Sequence, residues 1–251
     1  MEIGLTVGDS IDRLEATAEG FDFAEFGLAE AADVPESIDD DRLRDALDDR
    51  DLALDVHLPF KQDASTPVPE INEAIVAHQR RLLEWAGRLG ARKAVLHGTV
   101  RNPHDTDQRP TFASQLSEIV AVGEDAGVEV VVENVGHQAH GLPLSVLGDI
   151  AEEVDAPVCF DVGHAYMEDG DDGIERFLRG YADRISHLHV HDVRSRGDTH
   201  MPIGAGEIDY GLLSEYLVDF DGTVAVEVFT DDVDLLQNTA GRVADSLGAE
   251  F

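Results

Sequence analysis

Acids and histidines recur where short apolar runs end. Glu25 stands in FDFAEF, His57 in DVHLPF, His97 in VLHG, Glu133 in VVVEN, Asp161 and His164 in CFDVGHA, and Glu227 in VAVEV. His187, His189 and His191 alternate through SHLHVHD. Carboxylates brought together repel unless protons or cations neutralise them. Imidazole and carboxylate without thiolate suit Zn²⁺, Mn²⁺, Fe²⁺ or Co²⁺. Each residue also has a plainer reading. An acid at a strand end caps the next helix, and a single histidine sits hydrogen-bonded in a core. The strand-seven histidines share one face, so not all three are expected to bind metal. His78, His104, His137 and His140 read as solvated. Downstream, Asp198 and His200 in GDTHM are spaced as a local ligand pair. Arg194 and Arg196 in VRSRG suit a phosphate or carboxylate, or equally salt bridges to an acidic surface.

The elements that must position these groups follow from the apolar pattern. Strands are predicted near 2–7, 21–26, 52–58, 93–98, 129–133, 157–162, 185–191 and 223–228. Helical spacing fills 68–89, 111–126, 170–182, 209–218 and 231–247, and Gly20, Gly90 and Gly127 stand where helices should stop. Eight strands alternating with helices in 251 residues predict an α/β fold, the (β/α)8 TIM barrel, as one domain spanning 1–251. A doubly wound sheet also alternates, but the turn after strand one, VGDSID, is not a phosphate-binding GxGxxG loop. In a (β/α)8 barrel the strand ends converge on one mouth. Val95 below His97, Val131 below Glu133 and Cys159 below Asp161 would fill the interior beneath it.

Composition narrows the classes. Lysine plus arginine number 18 against 53 acids, a formal charge of −35. Such a surface repels phosphate backbones and anionic membranes unless salt screens it. The only lysines are Lys61 and Lys93. This balance resembles proteins of salt-accumulating halophilic archaea, so the protein is expected to need molar salt. A hydrophobic content of 43% argues against disorder. No apolar run is long enough to span a membrane, and the N-terminus lacks a signal-peptide layout. The lone Cys159 fits a reducing cytosol, so a cytoplasmic location is expected.

Together VVVEN, CFDVGHAY, HLHVHD, THMPIGAGEID and VAVEVF resemble the xylose isomerase-like TIM-barrel superfamily over about residues 2–247. That superfamily includes sugar and sugar-phosphate isomerases and epimerases, and endonuclease IV. The resemblance implies a metal site of Glu133, Asp161, His189 and Glu227. It implies Glu133 and Glu227 as the acid/base pair and His164 as a further catalytic group touching substrate. Endonuclease IV has more zinc ligands, which His57, His97 and Glu133, and then His164, Asp198 and His200, would match. Glu25, His57, His97, Arg194 and Arg196 are the expected substrate-binding groups. A homodimer is common among similar proteins.

The preferred reading is therefore an isomerase or epimerase of a small sugar, sugar phosphate or polyol. It would depend on Mn²⁺, Zn²⁺, Co²⁺ or Mg²⁺, with an enediolate stabilised by Lewis-acid chelation. The alternatives are an endonuclease IV-like zinc phosphodiesterase acting on abasic DNA and a non-catalytic metal-binding barrel. Nucleic acid is not expected as a partner. The loops after strands one and two are acidic and lack the cations and aromatics that grip a duplex. Arg101 and Arg109 are the best exceptions.

Overall fold

The computed structural model describes residues 1–136, 140–249 and 251. His137 thus lies outside the described residues. The strands are β1 (Glu2–Gly8), β2 (Phe23–Gly27), β3 (Ala53–His57), β4 (Lys93–His97), β5 (Glu129–Glu133), β6 (Val158–Asp161), β7 (Ile185–Val190), β8 (Asp192–Arg194), β9 (Gly197–Met201) and β10 (Thr223–Val226). The helices are α1 (Ile11–Thr17), α2 (Asp40–Asp48), α3 (Pro69–Arg88), α4 (Arg109–Ala126), α5 (Leu144–Glu153), α6 (Val162–Asp169), α7 (Asp171–Tyr181), α8 (Gly211–Tyr216) and α9 (Val233–Leu247). Strands β1 to β7 and β10 close a barrel in chain order, β10 pairing β7 on one side and β1 on the other, all parallel. The predicted (β/α)8 architecture is the observed one. Among the described residues no helix is long and apolar enough to cross a membrane.

Local chemistry sets the element ends. Ser10, Asp39, Asp161 and Asp232 cap α1, α2, α6 and α9 by accepting a backbone N–H from three residues on. Gly127 ends α4 at φ 74°, a left-handed turn that glycine adopts without strain. The strand faces turned outward pack on the helices as the main core, with Phe112, Leu116 and Trp85 buried there. Val95, Val131 and Cys159 form a separate buried cluster inside the barrel, the layer expected below the mouth.

Two departures matter for the site. The segment after β7 forms an antiparallel hairpin, β8–β9, which the polar run RSRGDTHM does not announce. Helix α6 begins directly after β6, so Asp161 is both the last strand residue and the helix cap.

Candidate metal centre

The parallel register brings the expected groups level. His97 pairs Glu133 across β4 and β5, and Asp161 pairs His189 across β6 and β7. His57 ends β3 and Glu227 follows β10, its N–H still donating to Val190 O at 3.1 Å. Four side chains from four strands then converge. His189 Nδ1 lies 3.3 Å from Glu133 Oε1, 3.4 Å from Glu227 Oε2 and 3.9 Å from Asp161 Oδ2. One donor atom from each lies within 4.8 Å of all the others. Asp161 and His189 are fully buried and Glu133 nearly so, and Glu227 keeps 14% side-chain exposure toward the mouth.

A cation fits this set. His189 Nδ1, Asp161 Oδ2 and Glu227 Oε2 are buried with no hydrogen-bond partner, although buried polar atoms are normally paired. The other oxygen of Asp161 is committed, accepting the His164 N–H at 2.6 Å as the helix cap. The helix-cap reading of Asp161 is thus observed at one oxygen, while the other faces the converging donor atoms. Asn134 fixes its backbone, with Nδ2 donating to Asp161 O at 2.8 Å and Oδ1 accepting Asp161 N–H at 2.9 Å.

Two further donor sets flank the first. His57 and His97 aim Nε2 at Glu133 Oε2, at 3.2 Å and 3.1 Å. Their Nδ1 atoms are 2.8 Å from Leu58 O and 3.1 Å from Phe60 O. A carbonyl can only accept, so each Nδ1 carries the proton. If neutral, both rings would then turn lone pairs on the same carboxylate oxygen, which needs protons or a cation between. On the other side His164, His191, Asp198 and His200 gather. Asp198 Oδ1 is 2.7 Å from His200 Nε2 and 3.9 Å from His164 Nε2, and His200 Nδ1 donates to Glu227 O at 3.0 Å.

Without a cation, protons balance the mouth. Burial opposes ionisation of Glu133, but His97 and His189 outweigh it and hold its carboxyl well below the usual range. Burial likewise opposes ionisation of Asp161, and His164 and His191 outweigh it. Burial opposes protonation of His200, yet Asp198 and Glu227 push it up to about 9. His164 is raised well above its ordinary value despite burial, chiefly by Asp161 and Asp198. Metal ligation requires these nitrogens deprotonated, so an ion would replace protons here.

Not every expected group reaches the mouth. Glu25 is fully buried, bonded to His187 and His189 beneath the donor set, so the structure gives it no open face for a substrate. Arg194 donates to Ala205 O at 2.6 Å and braces its own loop. Arg196 is exposed and lies beside Gly170. Neither forms an ion pair among the described residues. Arg109 opens α4 and Arg101 is exposed. His78 sits half-buried on α3, while His104 and His140 are exposed.

Sequence reading missed three contributors. His191 belongs with the outer set, 3.2 Å from Asp161 Oδ1 through Nε2, stacked on His200 at 4.0 Å, which stacks on Phe229 at 4.0 Å. Gly163 leaves room for that ring, since a Cβ there would collide with it. Asp192, the acid of HLHVHD, binds no donor set. Its carboxylate accepts N–H groups from Val193, Gly204, Gly206, Glu207 and Ile208, tying GAGEI to the end of β7. The paired glycines of GAGEI were the available signal for such a knot.

A family model described as a xylose isomerase-like TIM barrel matches residues 14–248. The chain belongs to that family. It is 26% identical to an uncharacterized protein of Methanocaldococcus jannaschii over 197 residues, covering 74% of this chain and 67% of that one. A solved D-tagatose 3-epimerase-like protein superposes with a TM-score of 0.77 at 21% identity, over 99% of this chain and 97% of that one. A Thermus thermophilus protein soaked with zinc chloride matches at TM-score 0.70 and 27% identity, over 96% of this chain and 99% of that one.

Proposed function

We propose that this xylose isomerase-like barrel is a divalent-metal-dependent isomerase or epimerase of a small sugar, sugar phosphate or polyol. The observation that carries the reading is the convergence of Glu133, Asp161, His189 and Glu227, with one donor atom each of Asp161, His189 and Glu227 left without a partner. Those four would hold the ion, which supplies Lewis-acid polarisation of a carbonyl and its neighbouring hydroxyl.

The chain's own groups then move the proton. Glu133 and Glu227 come from β5 and the end of β10, with β6 and β7 between them, so they approach a carbon between them from separate sides. One removes the proton next to the carbonyl and the other returns one. His57 and His97 flank Glu133 Oε2 at 3.2 Å and 3.1 Å. Glu227 Oε2 has no such partner, and the Glu227 side chain keeps 14% exposure at the mouth. His164 Nε2, near Asp198, faces the same mouth as a polar contact for substrate. The fold likeness to a D-tagatose 3-epimerase-like protein agrees with this reading.

The test is solvent hydrogen exchange into a panel of ketoses in molar KCl with Mn²⁺, Co²⁺, Zn²⁺ or Mg²⁺. Exchange next to the carbonyl should need metal, and Glu133→Gln and Glu227→Gln should each lower it by about 10²–10⁴-fold. A silent panel with metal bound would overturn the reading.

The two flanking donor sets favour a second reading, a zinc phosphodiesterase of the endonuclease IV kind. Glu133 and Asp161 each turn separate oxygens to separate sets, as a multinuclear centre requires. Three bound zincs, with abasic-site nicking in high salt abolished by Glu133→Gln, would select it.

A further inference from the structure

Glu25 lies under the centre and meets three donors. Its Oε1 accepts from the Thr6 hydroxyl at 3.1 Å. Its Oε2 takes Nε2 of His187 at 3.1 Å and Nε2 of His189 at 3.0 Å. Glu25 and both histidines have no exposed surface. A carboxylate only accepts, so both rings present N–H at Nε2. His187 is held at its other end, with Nδ1 2.6 Å from Thr223 Oγ1. The two imidazoles meet edge to face, 5.2 Å apart at 76°. His187 and Thr6 therefore fix the carboxylate in place from two sides, and the carboxylate in turn fixes His189.

We propose that Glu25 is the positioning residue of the metal centre: it accepts the Nε2–H of His189, and so sets the tautomer and ring orientation that turn Nδ1 toward Glu133, Asp161 and Glu227. Without that acceptor, nothing else among the described residues bonds His189 Nε2, and the ring is free to turn Nε2 to the mouth or swing away. A partner of this kind orients a ligand histidine and raises its basicity. The proposal rests on the metal centre of the reading above but not on the reaction assigned to it. It also explains an acid that touches neither ion nor substrate.

Two measurements on the full chain in molar KCl test it. The first is long-range ¹H–¹⁵N NMR of protein carrying ¹⁵N-histidine, metal-free and with Zn²⁺ added. His189 should keep its proton on Nε2 in both, and the Nδ1 signal alone should shift with Zn²⁺. A bare or zinc-shifted Nε2 would overturn the proposal. The second is competition for Zn²⁺ and Mn²⁺ against a chelator. Glu25→Ala should bind about 10–100-fold more weakly, and Glu25→Gln, which keeps one carbonyl acceptor, should recover part of the loss. Wild-type affinity in Glu25→Ala would also overturn it. Should Glu25→Ala fail to fold, the NMR of the unaltered chain decides. If the unaltered chain binds no metal, the functional reading fails, and the metal-free spectrum still tests the hold on His189.

Discussion

Asp161 and His164 meet twice at the start of α6. Asp161 Oδ1 accepts the His164 backbone N–H at 2.6 Å, and Oδ2 stands 3.1 Å from the His164 ring at Nδ1. One side chain thus closes a helix and turns its second oxygen toward the candidate metal centre. Asp161→Asn keeps an oxygen for the cap but loses the charge. It should bind Zn²⁺ roughly 100-fold more weakly while keeping the cap's share of metal-free stability. Asp161→Ala should lose the same affinity and about 1 kcal/mol of stability besides. Calorimetric titration and urea unfolding of the metal-free proteins separate the two roles. Equal stability of the Asn and Ala variants would refute the cap.

Charge sets a pH dependence. His200 is pushed up to about 9, burial opposing and Asp198 and Glu227 prevailing, against about 6.5 in an unfolded chain. The folded state binds that proton more tightly. Its contribution is complete below about pH 6.5 and lost as pH climbs through 9. His164, raised for a similar reason, acts in the same direction. The metal-free melting temperature should fall across that window, and Asp198→Asn should flatten the slope. Zn²⁺ affinity should rise across it, since an ion competes with those protons. Melts with and without Zn²⁺ check both, and a metal-free midpoint that rises across the same window contradicts the assignment.

The Asp192 knot makes a prediction about the loop. Five backbone N–H groups converge on its buried carboxylate. Asp192→Ala would strand them, at a cost of about 3 kcal/mol or more. Because the knot anchors the loop that follows β9, residues 202–208 should become the first site of proteolysis. Urea unfolding and limited proteolysis read the two effects. Cleavage that begins elsewhere, with stability intact, would count against the knot.

Salt should control folding. Among the described residues only Glu25, Asp55, Glu133, Asp161 and Asp192 are buried acids, so the other described acids meet solvent. Helix α2 and its flanks carry Asp39, Asp40, Asp41, Asp45, Asp48 and Asp49, with Arg42 reaching across to Asp12 and Glu15. The screening length is about 3 Å at 1 M salt and about 10 Å at 0.1 M. Diluting KCl therefore exposes the coat to its own repulsion, and the melting temperature should drop. Full stability in dilute buffer would remove the halophilic reading.

The strands and the mouth were legible because they obey a period of two. An apolar residue below and a ligand-type residue above, as in Val131 and Glu133 or Val95 and His97, mark both strand and site. The hairpin was not legible, since RSRGDTHM has no apolar face to bury. Helix α6 was hidden by its lack of any linker after β6. Helix α5 was masked by Gly148, which packs on Tyr181 where a Cβ would collide. Glu25 looked like a mouth residue because its place on β2 matched the others. Only the paired bonds to His187 and His189, across the barrel, reveal that it works from below.

Cys159 gives the barrel a clock. It is the one thiol in the chain, wholly enclosed with Val95 and Val131 beneath His189, and burial pushes it up far from the thiolate that reacts. A loop that opens, or a mouth that empties, leaves it covered. A thiol-labelling reagent therefore counts only those moments when the staves themselves part, and its rate records the lifetime of the closed barrel with no engineered probe.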